Sequence, residues 1–183
     1  MGNIMGKTEG NDEDMNDVRI KMYDNEILDS EIIKNIENIK KKHTNIDINC
    51  INSNHYTYLM DAIRYNRIEL VKYLLTYSGT KVNQMADCGA AALHMCSDKN
   101  QYPMLCLLLT REDLKVNVRD CYGQTVLHRA CSLGNEEGVL ELLLDGRIDP
   151  LIRNKSGNTA LDIATECKKN KIVDIMKKFF ISE

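Results

Sequence analysis

The sequence predicts an all-α fold, a solenoid of stacked helix-turn-helix units joined by short β-turn or hairpin links. Three observations predict it. The chain repeats itself at a fixed offset of 34 residues, each repeat carries two short apolar segments with helical spacing, and a glycine recurs in the turn before the first of them. At that offset Leu127 is matched by Leu59, Leu93 and Leu161, Thr125 by Thr57, Ala91 and Thr159, and Ala130 by Ala62, Cys96 and Ala164. Gly123 recurs as Gly89 and Gly157, with His55 in the first copy. The second apolar segment recurs as Val71/Leu74/Leu75, Leu105/Leu108/Leu109, Val139/Leu142/Leu143 and Val173/Met176. Four copies hold register without a slip. One unit cannot bury its own apolar face, so the units must stack.

In chain order, residues 1–20 read as a disordered acidic tail, because Thr8 to Asp17 is rich in Asp and Glu and has almost nothing to bury. Residues 21–47 read as an N-terminal capping helix or a degenerate repeat. Ile32, Ile36 and Ile39 share one helical face, with Lys34, Asn38 and Lys41 elsewhere. Asn49 matches Asn83 and Ile36 matches Leu70 at the repeat offset, but no first-helix signature precedes them. Residues 48–183 then hold the four copies, at about 48–82, 83–116, 117–150 and 151–183.

Copy one places helices at Thr57–Ala62 and Ile68–Leu75 and is rich in tyrosine, with Tyr73 expected to pack. Copy two departs most from the pattern, since Ala91 replaces the capping Thr and Asn100 stands where copy three has Gly134. Pro103 falls at the start of its second helix, where a missing N–H costs nothing. The segment from Met104 to Leu109 is apolar nearly all round and so should be covered on two sides. Copy three runs from a turn ending at Gly123 through a helix opened by Thr125 and broken at Gly134. In copy four Lys168, Lys169, Lys171, Lys177 and Lys178 supply a polar outer side, and Phe179 and Phe180 close the core.

The segments GQTVLHRA (residues 123–130) and GNTALDIA (residues 157–164), each followed by its apolar second segment, resemble the ankyrin repeat. The resemblance covers Ile48 to the C-terminus, with a link one residue longer than the family's usual period of about 33. It implies that His94 and His128, which share a repeat position with Met60 and Asp162, tie the turn of one unit to its neighbour. It also implies protein binding along a concave surface of turn tips and exposed first-helix sides. Carried onto this chain, the tips are Ser53, Asn54, Tyr56, Asp87, Cys88, Ala90, Cys121, Tyr122, Gln124, Lys155, Ser156 and Asn158. The first-helix ends add Arg64, Tyr65, Asp98, Lys99, Ser132, Leu133 and Glu166. Tyr56, Tyr65, Tyr122 and Leu133 are the expected apolar anchors, with the charged residues setting specificity.

The function this resemblance implies is a non-catalytic interaction module, an intracellular adaptor or inhibitor with a protein partner of unknown identity. Short arrays of this kind sequester transcription factors as I-kappa-B-type inhibitors do, block cyclin-dependent kinases, or chaperone proteasome assembly as gankyrin does. The alternative is a membrane-tethered scaffold through N-myristoylated Gly2, although the motif asks for Ser or Thr where Gly6 stands.

The remaining features bound that reading. A net charge of −3 is too small for nucleic acid to be the main partner. No run approaches the ~18 apolar residues of a membrane span. Seven cysteines, an odd number without a C-x-x-C pair, fit a reducing compartment, hence the cytoplasm with the nucleus as a second location. The cluster from Lys40 to His43 reads as a nuclear signal or, better, as cations at a helix C-terminus. No phosphate loop, nucleophile elbow, zinc motif or carboxylate pair is present, so neither cofactor nor metal is expected, and the chain is expected to be a monomer. Frequent Asn, Ile and Lys point to an A/T-rich genome such as that of a parasite or virus.

Overall fold

In the computed structural model, residues 9–43, 47–97 and 101–182 are described. They form ten helices: α1 (Glu9–Tyr23), α2 (Asp29–Lys42), α3 (Tyr58–Arg64), α4 (Ile68–Leu75), α5 (Ala92–Met95), α6 (Tyr102–Leu109), α7 (Val126–Leu133), α8 (Glu136–Leu144), α9 (Ala160–Glu166) and α10 (Asn170–Ser182). The odd-numbered helices touch in sequence to make one layer and the even-numbered helices another. No strand occurs among the described residues; the turn of copy two closes with a single bridge, Met85 to Ala91. The fold is the helical solenoid that the repeat predicts.

One continuous core runs from Met15 to Met176. Leu59, Leu93 and Leu127 are buried from the inner layer, and Leu70, Leu74, Leu105, Leu108, Val139 and Leu142 from the outer. Helix α6 lies between α4 and α8, which is why its apolar surface is wide. Phe179 and Phe180 are half-buried against the end of this core.

The link that carries the thirty-fourth residue is held by a ladder of asparagines. Asn49 donates to Gly79 O (2.9 Å) and accepts from Lys81 N (2.7 Å). Asn83 does the same with Asp113 O and Lys115 N, and Asn117 with Arg147 O and Asp149 N. Each amide thus spans the links at the two ends of its copy, satisfying backbone groups that no helix reaches.

The acidic N-terminal segment departs from expectation. Residues 1–8 lie outside the described residues, but from Glu9 the chain is helical rather than disordered. Met15, Val18 and Met22, three and four residues apart, make an apolar stripe that is fully buried. Asn16, Asp17, Arg19, Ile20 and Lys21 interrupt that stripe in the sequence but not in space. Helix α1 packs on α2 and α3 while α2 packs on α4, so the two form a helix pair stacked on copy one. Ile32, Ile36 and Ile39 face inward as their spacing requires, and Lys40, Lys41 and Lys42 close the last turn of α2.

Two buried arginines fasten this pair. Arg19 of α1 ion-pairs with Asp61 (2.8 Å), donates to Cys50 O and Tyr56 O, and lies over the Tyr58 ring. The Tyr58 hydroxyl donates back to Met15 O. Arg67, from the turn before α4, donates to Met22 O, Asp24 O and Ile27 O and so caps the end of α1 and its loop. Asp29 accepts from Glu69 N and Leu70 N, at the start of α4.

Burial pushes the Asp61 carboxyl up to about 6, against the pull of Arg19 and Arg64. A pKa raised on folding contributes stability at low pH that is lost as pH rises through about 6. Arg19→Met therefore costs about 3 kcal/mol at pH 7, where Asp61 is left as an unpaired buried charge, and less at pH 5, where it is protonated. Urea unfolding of both proteins at the two pH values measures this.

Candidate protein-binding surface

The tips of copies one to four share one backbone design. The N–H of Asn52, Ala86, Asp120 and Asn154 donates to the carbonyl four residues on, at Tyr56, Ala90, Gln124 and Asn158. The third step of each turn lies in the left-handed region: His55 (φ 56°), Gly89 (70°), Gly123 (74°) and Gly157 (85°). In copies one, three and four the first side chain of the turn, Asn52, Asp120 or Asn154, accepts two backbone N–H groups and fixes the loop. Ala86 cannot do so in copy two.

Neighbouring tips are bonded to each other. Cys121 N donates to Cys88 O (2.9 Å) and Lys155 N to Tyr122 O (3.0 Å). Arg119 donates to Gly123 O and to Arg153 O in the next tip. A Cβ on Gly123 would lie 2.9 Å from Lys155 N, so the glycine is required by this approach as well as by its φ.

The histidines complete the tie. His128 Nδ1 accepts from Thr125 N at the helix start, and Nε2 lies 3.1 Å from Asn158 O in the next turn. His94 repeats this with Ala91 N and Gln124 O. Asp162 makes only the first of these contacts, to Thr159 N. Nε2 can donate to a carbonyl while Nδ1 accepts only if the ring is neutral, and burial lowers the pKa of both histidines. Among the described residues no three His, Cys, Asp or Glu side chains gather as a metal site.

The residues chosen from sequence are placed as follows. Ser53, Asn54, Arg64, Asp87, Cys88, Tyr122, Leu133, Lys155 and Glu166 are exposed, with Tyr122 at 67% and Leu133 at 51% the open apolar groups. Tyr56, Tyr65, Gln124, Ser132 and Asn158 are half-buried. The Arg64 guanidinium lies 5.5 Å from the Tyr56 ring, and Asn158 donates to Glu166. Tyr65 stacks on Tyr23 at the end of α1 (centroids 4.7 Å), so part of its ring is already covered. Asp98 and Lys99 lie outside the described residues.

Tyr56, Arg64 and Cys88 come together in a groove of about 470 Å3 with Ala90, His94, Met95, Ser97, Gln101 and Arg129. Sequence reasoning missed Met95, Gln101 and Arg129. Their signal was present: Asp61, Met95, Arg129 and Ile163 share one repeat position with four unrelated side chains, and a position the repeat does not fix is open to other uses. Arg129 is held by Asp120 (3.0 and 2.7 Å), whose carboxyl sits below its usual range despite burial because of Arg129 and the turn amides.

Residues 93–179 match the family model for ankyrin repeats in three copies, and residues 54–87 match that for a single ankyrin repeat. The chain belongs to the ankyrin repeat family. It is 30% identical over 141 residues to an ankyrin repeat protein of Fowlpox virus (strain NVSL), a match covering 74% of this chain and 41% of that protein. It is 36% identical over 93 residues to protein phosphatase 1 regulatory subunit 12A of Mus musculus, covering 51% of this chain and 9% of that protein. It is 46% identical over 55 residues to SMC5-SMC6 complex localization factor protein 1 of Mus musculus, covering 30% and 5%. The matched segments of this chain thus span less than half the length of the fowlpox protein and under a tenth of the other two.

His128→Leu keeps the volume but leaves Thr125 N–H and Asn158 O without their imidazole, which costs about 2 kcal/mol at pH 7.5. Because folding lowers the histidine pKa, its contribution is complete above about 6.5 and is lost as pH falls through the folded value. The gap between wild type and variant therefore narrows on acidification from pH 7.5 to 5.5, as read by melting temperature.

Proposed function

We propose that the chain is a non-catalytic adaptor or inhibitor that binds a protein partner along the concave face of its repeats. Ankyrin repeat domains generally mediate protein–protein interactions. The observation that carries the reading here is the pair of open apolar side chains, Tyr122 on a tip and Leu133 on a first-helix end, flanking a backbone locked by hydrogen bonds between units. A large stiff side chain on a rigid scaffold loses little entropy on binding, which is what an interface anchor needs. The seven cysteines, an odd number without a C-x-x-C pair and with Cys96 and Cys131 buried as small core residues, support a reducing compartment and hence a cytoplasmic or nuclear setting. No helix of the described residues is long and apolar enough to cross a membrane.

The double substitution Tyr122→Ala/Leu133→Ala removes both anchors from the surface and leaves the melting temperature within about 2 °C of wild type. Proteins captured from a cell lysate by the intact chain and lost with the variant support the reading. Identical capture by both chains places the binding surface elsewhere.

A further inference from the structure

We infer that the groove between copies one and three takes an extended, acidic segment of the protein partner, with a carboxylate at Arg64 and Arg129 and an N–H donor at Gln101. The inference rests on the concave-face reading and specifies its partner. Among the described residues that line the groove, only Arg64 and Arg129 are formally charged, since His94 is held neutral by burial. The carboxylates beneath it are already committed. Asp61 is buried against Arg19, and Asp120 is buried against Arg129. On the nearby tip Asp87 faces His55 at 2.5 Å. The count over Arg19, Arg64, Arg129, Asp61 and Asp120 is one positive charge in excess, and the exposed Arg64 supplies it over the face of Tyr56.

Gln101 is the second observation. At the same repeat position Arg67 donates to carbonyls of the preceding unit, and Asn135 donates to Ser97 O while accepting from Gly138 N. Gln101 sits between them with Oε1 buried and without a hydrogen-bond partner among the described residues. A buried acceptor left unpaired is costly, and the half-buried Gln101 side chain recovers that cost by turning its amide toward a donor in the groove. Gln101 and Arg64 also line an adjoining hollow of about 620 Å3 with Asn25, Asp29, Tyr65, Asn66 and Arg67. The two hollows meet at the same pair of residues, which gives room for a run of backbone rather than one side chain. An extended peptide offers both groups in one strand, a carboxylate from a side chain and an N–H from its backbone. Two guanidinium groups on a chain of net charge −3 are too few for a phosphate backbone.

The test is selection of a displayed library of random linear peptides on the full chain, followed by affinity measurement with a synthetic binder. The expected binders are enriched in Asp and Glu and weaken as salt rises. Their affinity falls about tenfold or more with Arg64→Gln and with Gln101→Leu. Gln101→Leu does so with no loss of melting temperature, because it removes an unpaired acceptor; a merely structural glutamine would lose both together. Binders without acidic residues that are lost with Tyr122→Ala/Leu133→Ala overturn this inference and leave the concave-face reading standing. Acidic binders indifferent to all of these substitutions overturn both. Displacement of the binder by single-stranded oligonucleotide or inorganic phosphate also overturns the inference, as does recovery of no binder.

Discussion

A helix pair with an apolar side this wide has nowhere to bury it except against another pair, and every other feature of the chain follows from that constraint. Val139, Leu142 and Leu127 are dry only because copies lie on both sides of them. Stacking in turn demands that each unit rise by the same step, since a slip of one residue would turn inward side chains outward. The asparagine ladder and the histidine ties are the parts that enforce the step. Asn49, Asn83 and Asn117 fix the link, while His94 and His128 fix the turn.

The two ends meet the same constraint differently. At the C-terminal end α10 is longer than the second helices of copies one to three, and its lysines face out while Ile172 and Met176 face in. At the N-terminal end α1 and α2 cover copy one, and the cover is fastened by charge as well as by apolar contact. Arg19 and Arg67 reach carbonyls that would otherwise be buried without donors. A buried guanidinium is expensive unless its donors are used, and its planar fork of five donors lets one side chain satisfy several carbonyls at once.

A stack locked in this way frees its variable positions for recognition. The residues that recur every 34 positions are spent on turns, caps and core. Those that do not recur, such as Arg64, Arg129, Tyr122 and Leu133, project from a backbone that hydrogen bonds hold in place. The one turn without a fixing side chain, at Ala86 in copy two, borders the groove, next to the shortest helix, α5. Helix α5 starts in register with the other first helices although Ala91 offers no side-chain cap, and it is short at its C-terminal end, where Cys96 and Ser97 turn away from the helix.

By itself the sequence determined the period, the inward residues of each helix, the turn glycines and the pairing of His94 with His128. All of these are local patterns that repetition amplifies. It also marked the tip residues, because a tip is a fixed place in the repeat. Only the tertiary structure decided what depends on contacts between distant segments. The acidic stretch before Tyr23 becomes a helix because copy one presents a surface and a buried Asp61 for Met15, Val18, Met22 and Arg19 to meet, 31 to 43 residues along the chain. Tyr65, open by its repeat position, is half-covered by Tyr23 for the same reason. The groove is likewise a product of assembly: Arg64, Gln101 and Arg129 come from three copies, and no periodicity within one copy brings them to a common wall.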